Sequence, residues 1–143
     1  MIIYGVVHLK PLPGSSGNYL SLDEIIESAQ EDINNLVFGG VDGIIIENFG
    51  DTPFVKDDIS KRTLANFTTV VENLEYDRDI KVGINVLRND GIAALSIAEA
   101  TKADFVRINV LNLSLIHISE PTRLLSREDA VFSLKKKRGG GGG

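Results

Sequence analysis

Gly39-Gly40-Val41-Asp42-Gly43-Ile44-Ile45-Ile46-Glu47-Asn48 decides the fold. Three consecutive isoleucines break the in/out alternation of a strand with one wet face and describe a short strand buried on both sides. The glycine pair ahead of them supplies a left-handed helix stop, so a helix feeds this strand through a short connection. The arrangement repeats. Lys102-Ala103-Asp104-Phe105 leads into Phe105-Val106-Arg107-Ile108-Asn109-Val110 as Gly40-Val41-Asp42-Gly43 leads into the isoleucines.

The same units appear on either side. Ile2-Ile3-Tyr4-Gly5-Val6-Val7 is a first buried strand, closed by His8-Leu9-Lys10-Pro11-Leu12-Pro13-Gly14, where prolines and a glycine forbid regular pairing. A loop through Tyr19 follows. Ser21-Leu22-Asp23-Glu24 matches a capping box and predicts a helix over 22–38, with Ile25, Ile26, Ala29, Ile33, Leu36 and Val37 at helical spacing. After the isoleucine strand come a loop through Asp51, Pro53 and Asp57 and an apolar helical stripe from Ile59 to Leu74. Residues 81–87 read as a third strand, 90–101 as a third helix and 105–110 as a fourth strand. Four strands alternating with three helices specify parallel βαβ units by the right-handed crossover rule. Such units fit a (β/α)8 barrel, and an open doubly wound sheet uses similar parts.

Composition narrows the function classes. The 143 residues are 43% hydrophobic and 24% charged, as in globular domains. There is no cysteine, which excludes disulfides, thiolate metal sites and cysteine nucleophiles and is compatible with a reducing, cytoplasmic location. No apolar run reaches the roughly 18 to 20 residues of a membrane helix. Residues 1–112 carry 9 Lys/Arg against 17 Asp/Glu, and residues 113–143 carry 6 against 3. An acidic body argues against nucleic acid as a partner, because phosphate backbones need a positive footprint.

Each strand turns polar at its carboxyl end: His8, then Glu47 with Asn48, then Asn85 with Arg88, then Arg107 with Asn109. Ligands bind at that end of the strands in barrels and open α/β sheets alike. The expected catalytic set is Glu47, Asp51 and Arg107, and the expected ligand-binding set is His8, Asn48, Asn85, Arg88, Asn89, Asp90 and Asn109. Glu47 and Arg107 stand out because a charge inside an aliphatic strand is costly unless it pairs or faces a ligand. Asp90 reads first as the N-cap of the third helix, Asp51 equally as a turn former beside Pro53, and His8 first as a loop hydrogen-bonder ahead of a proton-transfer role. No phosphate loop, paired metal-binding histidines, nucleophile elbow or dinucleotide fingerprint is present. Spacing therefore names no reaction and no cofactor, and no metal site is expected.

Four motifs in order, Val7 to Ser15, Gly39 to Gly43 leading to Glu47-Asn48-Phe49-Gly50-Asp51-Thr52-Pro53-Phe54, Gly83 to Asp90, and Ala103 to Val110, resemble the BtpA/SgcQ family. The resemblance covers residues 2 to about 111. It implies a ribulose-phosphate-binding type of barrel, of which residues 1–112 would be the N-terminal half. In that class a phosphate is held by loops after strands seven and eight, which lie beyond this chain. It further implies either an enzyme-like barrel taking a sugar-phosphate or nucleoside-type small molecule, or a factor for photosystem I biogenesis or stability. Fold and chemistry have to be argued separately.

Beyond Asn112 the pattern stops. Leu113-Ser114-Leu115-Ile116-His117-Ile118-Ser119-Glu120-Pro121-Thr122-Arg123 resembles a translated sequencing-library adapter, and Lys135 to Lys137 and Gly139 to Gly143 resemble homopolymer runs. Residues 113–143 are thus expected to be a non-native tail. A strand, a short basic helix and a glycine tail are the biological alternative. A truncated half barrel would be inactive by itself and would leave strands one and four unpaired, inviting homo-oligomers or aggregation. Resequencing across the Asn112 codon is expected to give an uninterrupted frame of about 250 codons, the usual barrel length; the same tail found in independent reads would contradict the adapter reading.

Overall fold

Ser21 and Glu24 close the capping box expected of them. Ser21 Oγ accepts from the Glu24 amide at 3.2 Å, and the Glu24 carboxylate accepts from the Ser21 amide at 3.2 Å. The helix they start, α1, runs Leu22–Phe38. It ends in a Schellman pattern: Gly40, at φ 91°, donates to Val37 O at 3.0 Å, and Val41 donates to Leu36 O at 3.4 Å. Only the second glycine of the pair takes the left-handed conformation, since Gly39 stays right-handed at φ −72°.

The computed structural model describes residues 1–54, 58–109 and, as backbone, 130–133. In chain order the other elements are β1 (Tyr4–His8), β2 (Gly43–Glu47), α2 (Lys61–Glu72), β3 (Lys81–Asn85), α3 (Gly91–Thr101), β4 (Phe105–Ile108) and β5 (Ala130–Ser133). Four parallel strands and three helices form an α/β fold consistent with part of a barrel, and among the described residues the sheet does not close. The Ile59 stripe begins as a helix only at Lys61, because Ser60 caps it by accepting from the Thr63 amide.

One expectation is corrected. β4 is not an open edge: β5 pairs antiparallel with it, Ile108 opposite Ala130 and Phe105 opposite Ser133. β1 keeps β2 as its one neighbour among the described strands. Of the segment expected to be a non-native tail, residues 113–129 and 134–143 lie outside the described residues, as do Val110 of the expected fourth strand and Asp57 of the second loop.

The repeat has a physical cause. Asp42 Oδ2 accepts from the Ile3 amide at 2.7 Å, and the Asp42 amide donates to Ile3 O at 2.8 Å. Asp104 does the same one unit on: its Oδ2 accepts from the Val82 amide at 2.9 Å and its own amide donates to Val82 O at 2.7 Å. Each aspartate ties the entry of its strand to the strand before it.

Register sorts the sheet into two faces. Val7, Ile44, Ile46, Val82, Ile84, Val106 and Ile108 are buried in the same core as Ile25, Ile33, Phe67, Val70 and Ile97 of the helices. Each large apolar side chain so buried contributes about 1.5–3 kcal/mol. On the other face three rows cross the strands: Tyr4, Gly43 and Lys81; then Val6, Ile45, Gly83 and Phe105; then His8, Glu47 and Asn85. Arg107, two residues past Phe105, extends the third row on that face.

The glycines of this face make room for rings. Tyr4 and Phe105 meet edge to face with centroids 5.5 Å apart. A methyl on Gly43 would collide with the Tyr4 ring, and one on Gly83 with the Phe105 ring. Tyr4 and Val6 remain 42% and 39% exposed, so this face is covered only in part. Gly83→Ala is expected to lower stability by about 1–3 kcal/mol, the usual cost of overpacking. Gly17→Ala, whose methyl meets only Pro11 at 3.5 Å, is expected to change it little. Equal denaturant midpoints for the two variants would contradict this packing.

Candidate active site

Glu47 ends β2 at 7% exposure, and a carboxylate so buried requires donors. One strand end supplies a hydrogen bond and two others supply close contacts. Asn85 Nδ2, from β3, donates to Glu47 Oε1 at 2.8 Å. Arg107 Nη1, from β4, lies 3.6 Å from the same oxygen, and His8 Nε2, from β1, lies 3.4 Å from Oε2. The Asn85 amide also reaches Asn109 Oδ1 at 3.5 Å. Register alone sets this row, because equivalent positions of parallel neighbours share a face.

The row forms one wall of a cleft of about 340 Å³. Glu47, Asn85, Arg107 and Asn109 line it, with Arg88 at its rim and Phe49, Phe54 and Leu87 as its apolar part. The His8 ring stacks on Phe49, centroids 4.3 Å apart and 18° from parallel, and Phe54 tilts against Phe49 at 6.3 Å. Asn85 Oδ1 is buried without a hydrogen-bond partner. Its amide cannot simply turn over, since that would set two acceptors, Asn85 Oδ1 and Glu47 Oε1, against each other.

The remaining expected site residues hold the loops that carry this wall. Asn48 bonds both backbone groups of Leu87, its Nδ2 donating to Leu87 O at 3.1 Å and its Oδ1 accepting from the Leu87 amide at 2.6 Å. Asp90 caps α3, with Oδ1 accepting from the Ala93 amide at 2.9 Å, while Oδ2 accepts from the Ile59 amide at 2.8 Å. Asn89 adopts φ 70°, a left-handed conformation that asparagine tolerates better than most residues. Asp51 lies apart from the cleft wall and accepts from the Leu12 amide at 2.8 Å, joining the β1 and β2 loops. Among the described residues no group of three or more His, Cys, Asp or Glu gathers to hold a metal ion.

The aromatic wall was absent from the expected set. The sequence shows only that Phe49 follows directly on Glu47-Asn48 in a strand-to-helix loop, and the structure leaves it 51% exposed. An apolar ring left at the carboxyl end of a strand is a reason to look for a ligand there.

Burial raises the Asp51 carboxyl pKa above its ordinary value, and the Leu12 amide and Asn48 side chain only partly offset this. Its Oδ2 is buried without a partner. A folded pKa above the unfolded one favours the fold below about pH 3.8 and loses that contribution as pH rises through the folded value. Asp51→Asn keeps the acceptor for Leu12 and removes the charge. The variant is therefore expected to gain stability relative to the parent between pH 3.5 and pH 7. Denaturant titrations showing the same difference at both pH values would contradict this.

The model of a family described as the BtpA family matches residues 1–122, ten residues past the boundary expected at Asn112. An uncharacterised protein of Pyrococcus abyssi is 49% identical over 109 residues, 76% of this chain and 42% of that protein. The photosystem I biogenesis protein BtpA of a Synechocystis strain is 46% identical over 109 residues, 76% of this chain and 38% of that protein. An uncharacterised mitochondrial protein of Caenorhabditis elegans is 30% identical over 111 residues, 74% of this chain and 40% of that protein. The chain thus spans about two fifths of the length of the curated relatives it matches. No solved structure matches it.

Proposed function

The chain belongs to the BtpA family, and on that premise we propose that the row His8, Glu47, Asn85 and Arg107 is the β1–β4 half of a small-molecule site for a sugar-phosphate or nucleoside-type ligand. The observation that carries the reading is the cleft wall itself. A buried carboxylate, an arginine and two asparagine amides converge there, one amide oxygen still lacks a donor, and two phenylalanines lie beside them. A few convergent polar groups in an apolar cleft are the usual make-up of a ligand site.

The chemistry available is acid-base and electrostatic. Glu47, backed by His8, can accept a proton or a hydroxyl hydrogen bond from a ligand, and Arg107 can stabilise negative charge developing near it. Asp51 acts, on this reading, through the loop it holds. We place function in residues 1–112 and none in residues 113–143, and we assign the protein to the cytoplasm. Among the described residues no helix is long and apolar enough to cross a membrane. Self-association through the β1 edge is part of the same proposal.

A second reading, assistance in photosystem I biogenesis without catalysis, has its own support in the Synechocystis relative at 46% identity. The two separate in one experiment. Calorimetric titration of the 143-residue chain with ribose 5-phosphate, glucose 6-phosphate, adenosine and inosine is expected to give saturable binding to at least one. Glu47→Gln and Arg107→Ala should each weaken it about tenfold or more, equivalent to about 1.4 kcal/mol. No binding across the panel would contradict the small-molecule reading and favour the second.

A further inference from the structure

β1 carries its unused backbone groups at regular intervals. The Ile3 carbonyl accepts from the Asp42 amide, the Leu9 amide donates to Glu47 O, and the Leu9 carbonyl accepts from the Gly50 amide. Alternation along the strand turns Gly5 and Val7 toward β2 as well, and leaves the amides and carbonyls of Tyr4, Val6 and His8 pointing away from it. β2 is the one neighbour of β1 among the described strands.

The side chains along this edge are as open as its backbone, with Ile2 74% and Ile3 48% exposed ahead of the half-exposed Tyr4 and Val6. Met1 to Leu9 contains no Asp, Glu, Lys, Arg or Pro; Lys10 and Pro11 come only after it. Edge strands that resist pairing are short, charged or interrupted by proline. β5, at the opposite edge of the sheet, is of that kind: four residues long, in a sequence that goes on to Lys135-Lys136-Lys137-Arg138. Of the two edges, β1 is the one open to a further strand.

The lack of charge also selects the partner. Two copies of a chain of net charge −5 repel each other, and a strip without charged side chains lets them meet. Identical edges pair about a two-fold axis only in the antiparallel sense, and an axis at Val6 brings all three outward residues into use, with Val6 opposite Val6 and Tyr4 opposite His8. Pro11 then stands opposite Met1, so the match takes in the whole uncharged strip.

We propose that a second copy of this chain adds to the β1 edge in that register, making one continuous sheet with both helix layers on the same side. The proposal rests on self-association through the β1 edge and gives it a partner, a direction and a register. It also sets Tyr4 of the partner subunit beside His8, on the face that carries the Glu47 row, so that each copy supplies a ring to the rim of the other's cleft.

The chain has no cysteine, so a single introduced thiol reports its own neighbour. Sedimentation of the 143-residue chain is expected to give a species of twice the chain mass. Val6→Lys, which sets like charges against each other at the axis, is expected to weaken it about tenfold or more. Under mild oxidation Val6→Cys should form a disulfide-linked dimer, because residues facing each other in a hydrogen-bonded antiparallel pair lie about 5.5 Å apart at Cα, within disulfide reach. This smaller change keeps the test independent of how well Val6→Lys folds. Ile92→Cys, exposed on α3, should not cross-link. Tyr4→Cys and His8→Cys chains, mixed, should cross-link to each other and neither to itself. A chain that stays monomeric, one that forms only undefined aggregates, or a dimer indifferent to Val6→Lys and without the Val6→Cys cross-link overturns the inference. A dimer that Val6→Lys dissolves but in which no cysteine pair cross-links overturns the register and leaves the β1 edge standing. Binding at the Glu47 row is tested separately by the ligand titration and stands or falls without this interface.

Discussion

A buried carboxylate is tolerated only where polar partners replace the water it has lost, and Glu47 obtains a hydrogen bond from Asn85 of β3 and close charged or polar contacts from Arg107 of β4 and His8 of β1. That requirement ties the carboxyl ends of β1, β2, β3 and β4 to one another. Shifting any strand by one residue would turn its partner to the helix face and strand the charge. The register that buries Ile44 and Ile46 of β2 under the helices is therefore the register that builds the polar row. Core and site are two faces of one constraint.

Below that row the sheet solves a second problem, how to fill the face opposite the helices. Gly43 and Gly83 leave room for the Tyr4 and Phe105 rings, which meet across two intervening strands. The layers are thus aromatic near the amino ends and polar at the carboxyl ends, a division that keeps the ligand-facing chemistry at one rim. The loops of that rim are bound together by backbone capture: Asn48 holds Leu87, Asp51 holds Leu12, and Asp90 holds both Ile59 and its own helix. Rigid loops place Phe49 and Arg88 without those residues having to be buried.

Much of this was legible in the residues. The run Gly43 to Glu47, the capping box at Ser21 and the polar strand ends follow from local patterns of period, capping and burial, and the helix and strand order came out as the patterns predict. The echo between Asp42 and Asp104 was visible as a repeat, and its cause is the paired backbone ties to Ile3 and Val82. What was not legible depends on distant partners. Nothing near Asn48 or Asp51 says that their side chains clamp another loop, and Phe49 read as one more apolar residue until its stacking on His8 set it at the cleft. The pairing of β5 with β4 joins residues more than twenty positions apart, beyond the reach of any local pattern.

The central claim is that Glu47 and its neighbours act as one unit. A double-mutant cycle of Glu47→Gln and Asn85→Ala, followed by denaturant unfolding at neutral pH, measures that coupling most directly. Groups in one buried hydrogen-bonded network couple by about 0.5–3 kcal/mol, and the account predicts a value in that range. Additive effects, within about 0.3 kcal/mol, would mean that the carboxylate does not hold the strand ends and would contradict it.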